Sequence, residues 1–108
     1  MPITRKFRET VLARAQDDRR FREAMLTEAV NELLAGDLQA GKAMLRDYVN
    51  ATVTFDGLAK ALRKPSKSLQ RMLGPAGNPT AESIFGIIKV LQKSERVELQ
   101  VKAAKKAA

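Results

Sequence analysis

Apolar residues along this chain recur mostly at three- and four-residue spacing, the period of one helical face. Phe7, Val11 and Ala15 predict a first helix over 5–15, with Thr4 able to cap it. Phe21, Met25, Leu26, Ala29, Val30, Leu33 and Leu34 form a broad stripe, which predicts a second helix capped by Asp17 or Asp18 and reaching 35. Gly36 is a helix stop, and Asp37 caps a third helix running to about 50 with Leu38, Gly41, Leu45, Tyr48 and Val49 on one side. Thr54 opens a fourth helix to Leu62, and Arg63-Lys64-Pro65 makes a turn, since proline disfavours helical geometry in the residue before it. A short fifth helix follows over 66–73. The loop residues 74–79 then lead to a sixth helix over 80–92, capped by Thr80, with Ile84, Ile87, Ile88 and Leu91 inward.

Beyond 93 the pattern changes. Val97, Leu99 and Val101 alternate with Glu98, Gln100 and Lys102, the period of a strand, while the Ala/Lys-rich end is equally compatible with an extension of the sixth helix. The fold class expected is all-α, about six helices with a possible short C-terminal strand. Three parts are expected: N-terminal helices over 1–36, a central helical domain over 37–93, and a C-terminal strand or tail over 94–108.

Composition narrows the chemistry. With no Cys and no His, the chain lacks thiol chemistry, imidazole catalysis and the commonest zinc ligands, so an enzyme, a metal site or a cofactor is not expected. No apolar run approaches the length of a membrane span, and residues 1–6 lack the apolar core of a signal peptide, so the expected location is cytoplasmic.

Charge points to a partner. The chain of 108 residues carries a net +8. Residues 21–53 hold three Lys/Arg against five Asp/Glu, a net −2, whereas 54–73 hold five against one, a net +4. That contrast concentrates positive charge on the fourth and fifth helices, as a polyanion partner requires. Leu58, Ala59, Leu62, Leu69 and Met72 supply inward positions for the pair, and the fifth helix keeps Ser66, Lys67, Gln70 and Arg71 on its other face. A helix of that kind fits the DNA major groove, whose base edges offer the donors and acceptors such side chains read.

These residues resemble a known group. Leu58-Ala59 with Leu62, the turn, Ser68-Leu69-Gln70-Arg71-Met72 and then Asn78-Pro79-Thr80 are similar to a lambda-repressor-like helix-turn-helix domain over roughly 40–92. Lys67-Ser68-Leu69-Gln70-Arg71-Met72-Leu73 followed by Gly77-Asn78-Pro79-Thr80 further resembles the HigA-type addiction-module antidote proteins, over about 20–101. The resemblance implies base reading by Ser66, Lys67 and Gln70, and phosphate contacts by Lys64, Arg71 and backbone N–H groups at Asn78 and Thr80. It implies a repressor, the antitoxin of a toxin–antitoxin module that autoregulates its operon, with double-stranded palindromic DNA, a second copy and a small toxin as partners. Two positions depart from it. Arg63 stands where many relatives have a left-handed Gly, which costs roughly 1 kcal/mol if the geometry is kept. Phe55 replaces a phosphate-contacting Gln and is expected to pack inward. The dimer surface is left open between the sixth helix, the 97–101 segment and the N-terminal helices. Two alternatives to this reading are a stand-alone regulator without a toxin and a protein-interaction module for an acidic partner.

Overall fold

The computed structural model describes residues 5–107, so the cap at Thr4 lies outside the described residues. Six helices follow in order: α1 (Arg5–Asp17), α2 (Arg19–Leu34), α3 (Leu38–Ala51), α4 (Thr54–Leu62), α5 (Ser66–Met72) and α6 (Ala81–Glu95). The chain is all-α, and the described residues contain no strand. The capping residues are local chemistry. Asp18 accepts from Phe21 N, Asp37 from Ala40 N and Thr80 from Ser83 N, each satisfying an amide that the first turn of a helix leaves orphaned.

One cluster of buried side chains joins five of the helices. Leu26 and Ala29 of α2 meet Leu45, Tyr48 and Val49 of α3, Phe55 and Leu58 of α4, Leu69 of α5, Leu73 just beyond it, and Ile84, Ile87, Ile88 and Leu91 of α6. Ala59, Leu62 and Met72 pack against that cluster partly buried. The stripe on α2 is narrower than its periodicity suggests. Leu34 is 63% exposed, and Leu38 at the start of α3 also reaches solvent. The α2–α3 contact is close because Gly41 has no side chain, and a Cβ there would strike Leu33.

Two charged residues are buried as well, and both join distant segments. Glu95, at the end of α6, accepts from Arg22 Nε at 3.0 Å and from Tyr48 OH at 2.5 Å. Arg22 also donates to the Ala15 and Gln16 carbonyls at the end of α1. Helices α1, α2, α3 and α6 thus meet at one carboxylate. Burial works against that charge, but the hydrogen bonds from Arg22 and Tyr48 outweigh it and hold the Glu95 carboxyl below its ordinary range. Burial, and then the bond to Glu95, push the Tyr48 hydroxyl pKa up.

The 97–101 segment is neither strand nor helix. Helix α6 ends where Arg96 turns left-handed, with φ 60°. Val97 N donates to Gln92 O, and Leu99 N donates to the Gln92 side chain at 2.8 Å. Val97 and Leu99 pack against the core while Val101 is exposed, so the alternation is real but its backbone has no strand to pair with.

A candidate nucleic-acid interface on α4 and α5

The turn between α4 and α5 keeps the geometry that a glycine would favour. Arg63 is left-handed, at φ 55° and ψ 45°, and the next amide, Lys64 N, donates to Ala59 O at 3.2 Å. Pro65 is extended and its carbonyl accepts from Ser68 N and Leu69 N, which starts α5 at Ser66. An L-residue in the left-handed region is strained by about 1–2 kcal/mol, whereas glycine loses more backbone entropy on folding. Arg63→Gly is therefore expected to stabilise the fold by up to about 1 kcal/mol, read as a rise in the urea midpoint at unchanged m. A fall in midpoint would mean that the Arg63 side chain contributes more than its backbone strain removes.

Leu69 buries one face of α5, which fixes what the opposite face offers. Lys67, Gln70 and Arg71 are exposed there, and Ser66 is half-buried. Gln70 Nε2 donates to Ser66 Oγ at 3.0 Å, one helical turn back. That bond uses one of the two amide N–H groups. The second N–H and the amide oxygen remain, which is the pair that adenine N7 and N6 require.

In this region, residues 54–73 hold five cations against one carboxylate. Arg5, Arg14, Arg19 and Arg22 each meet a carboxylate. Lys60, Arg63, Lys64, Lys67 and Arg71 are all exposed, and none is ion-paired among the described residues.

Helix α5 lies between two clefts. On one flank an open groove of about 420 Å³ is lined by Ser66 and Gln70 together with Arg46, Asn50, Thr54, Phe55 and Asp56. Arg46 donates to the Leu73 carbonyl at 2.9 Å, and the Thr54 hydroxyl, in the first turn of α4, accepts from Gly57 N at 3.3 Å. Thr54 does so at φ 66°, a strained conformation for a β-branched residue. On the other flank a cleft of about 290 Å³ is lined by Ser68, Arg71, Met72, Ala76, Gly77 and Asn78. The structure therefore brings Arg71 and Asn78 together, and Ser66 and Gln70 together, with Lys67 exposed on the same helix. Lys64 stands at the turn. The Thr80 hydroxyl is occupied in capping α6 and in a 3.0 Å bond to Ser83 Oγ.

Sequence reasoning missed the side chains that α3 contributes. Gln39, Lys42 and Arg46 reach the 73–77 backbone, and Arg46, Asn50 and the α4 residue Asp56 line the groove beside Gln70. The only signal in the sequence is the spacing of Gln39, Lys42 and Arg46, three and four residues apart, which puts them on one helical side next to the apolar stripe. Among the described residues no group of acidic side chains is placed to hold a metal ion, and no helix is long and apolar enough to cross a membrane. Comparison with known proteins finds no matching family model, no matching curated protein and no matching solved structure.

Proposed function

We propose that this chain is a sequence-specific DNA-binding repressor of the helix-turn-helix type, with α5 as its recognition helix. The observation that carries the reading is the clustering of five exposed, unpaired cations on α4, α5 and their turn, in a stretch that holds one carboxylate, Asp56. They flank in sequence the Ser66–Gln70 pair, which presents an amide edge suited to a base. In this reading Ser66, Lys67 and Gln70 meet bases, while Lys64, Arg71 and the backbone near Asn78 and Thr80 meet phosphates. One short helix makes few contacts, so a homodimer on a palindromic operator is part of the proposal. The resemblance to HigA-type antidote proteins adds a small toxin as partner, autoregulation of a shared operon and a cytoplasmic location.

Binding to the gene's own upstream DNA, titrated against salt, tests the reading. Log affinity falls linearly with log salt when several phosphates are neutralised. Gln70→Ala is expected to lose about 1–3 kcal/mol on the operator and to relax preference at one base position. Lys64→Ala is expected to weaken all sequences alike and to reduce the salt slope by about 1. Absence of binding at low salt overturns the reading, and equal losses on every sequence for both variants overturn the division of roles. A short toxin-like reading frame beside the gene, whose product co-purifies with this chain, tests the antitoxin part.

A further inference from the structure

The loop after α5 is held from behind by α3. Lys42 is 1% exposed, and its ammonium donates to the carbonyls of Gly74 at 3.0 Å and Gly77 at 2.6 Å. Gln39 Nε2, one turn earlier on the same side of α3, donates to the Pro75 carbonyl at 3.1 Å. The described chain has no cis peptide, and in a trans peptide the C=O and the following N–H point in opposite directions. Drawing the Pro75 and Gly77 carbonyls toward α3 therefore turns the Ala76 and Asn78 N–H groups away from it. Neither N–H has a partner among the described residues. Ala76 and Asn78 line the same cleft as Ser68 and the unpaired, exposed Arg71.

We propose that Gln39 and Lys42 are positioning residues for a phosphodiester site in this cleft, built from the Ala76 and Asn78 amides, the Ser68 hydroxyl and the Arg71 guanidinium. The inference rests on the DNA-binding reading and adds to it the device that sets the site. Two aligned N–H donors with one guanidinium form a concave anion site. A cation bonded to the carbonyl side of a peptide also polarises that peptide, which makes the N–H on its far side a stronger donor. Phosphate carries no sequence information, so the site serves register and affinity rather than base choice.

The test compares the wild-type protein with K42M on the operator duplex and on a scrambled duplex, with single phosphates replaced by neutral methylphosphonates in turn. Folding is followed by circular dichroism. K42M is expected to lose about tenfold in affinity, equally on both duplexes, because a hydrogen bond to a charged group is weakened. In the wild type one phosphate per half-site is expected to be costly to neutralise, and in K42M that cost shrinks. A merely structural role leaves the methylphosphonate cost unchanged, and that result overturns the proposal, as does a folded K42M that binds like the wild type. If K42M does not fold, Q39L releases only the Pro75 carbonyl; a reduced methylphosphonate cost in Q39L supports the proposal and an unchanged one overturns it. If the wild type binds no duplex at low salt, the DNA reading fails, and titration with inorganic phosphate decides the site alone. Amide shifts at Ala76 and Asn78 that weaken in Q39L support it, and their absence overturns it.

Discussion

Gly77→Ala is expected to destabilise the protein by about 3–5 kcal/mol. A Cβ built on Gly77 lands on the Arg71 and Met72 carbonyl oxygens, closer than real carbon and oxygen atoms approach. Both obstacles are backbone at the end of α5, so no side-chain rotation relieves them. Relief requires the loop to lift away from α5, and the same movement withdraws the Gly77 carbonyl from Lys42. Overpacking alone costs about 1–3 kcal/mol. A bond to a buried charged group adds about 1.5–3 kcal/mol when lost. Gly86→Ala is the control, since its nearest obstacle is the flexible end of Leu62 at 4.0 Å. That change replaces a mid-helix glycine and is expected to gain about 0.5–1 kcal/mol. Thermal unfolding of both variants checks the pair. A G77A variant melting within about 4 °C of the wild type, under roughly 1 kcal/mol, would show that the loop is loose.

Local chemistry made much of this fold legible in advance. Asp37 and Thr80 cap helices because a side-chain oxygen one or two bonds from Cβ reaches the amide three residues on, which a sequence displays directly. Ile84, Ile87, Ile88 and Leu91 were legible through their period, which fixes a face without tertiary knowledge. The edge of a stripe was not. Leu34 and Leu38 share the period of their neighbours, yet they lie beyond the width that α2 and α3 cover in each other. Lys42 and Glu95 were invisible for a different reason. Each is buried by partners 32 to 73 residues away, and a polar residue on a helix defaults to solvent until that neighbour is known. The 97–101 alternation misled by half. It reported correctly that Val97 and Leu99 pack, but a strand also needs a partner, and the Leu99 amide is taken by Gln92 instead. At the candidate interface the residue types of α5 were legible, and the pairing of Ser66 with Gln70 follows from their one-turn spacing. The two clefts that separate this pair from Arg71 and Asn78 depend on how α3 and the 74–79 loop pack.

Glu95→Ala is expected to cost about 3 kcal/mol at neutral pH, on the order of 15 °C in Tm for a chain of this size. The carboxylate is the meeting point of Arg22 and Tyr48, so its removal leaves a buried hydroxyl and a half-buried guanidinium without their acceptor. The cost should depend on pH in a direction that the wild-type site fixes. The Glu95 carboxyl is held below its ordinary value of 4.5, so the folded state binds this proton less readily than the unfolded state. Stability from the site is then fully present above about pH 5 and is lost as pH falls through 4.5 and below. The alkaline limb has the opposite sign. Tyr48 is raised above its ordinary value of 10.0, so its contribution is present below that value and is lost as pH rises beyond it. The difference in unfolding free energy between wild type and E95A should therefore be flat from about pH 5 to 9 and shrink toward pH 3. Glu95→Gln keeps an oxygen for Tyr48 but not the charge, so it should lose less than E95A and share its insensitivity to acid. Urea melts at pH 3, 5 and 7 separate these outcomes. A difference between wild type and E95A that stays constant down to pH 3 would mean that Glu95 acts by packing and not as the charged link between α2, α3 and the end of α6.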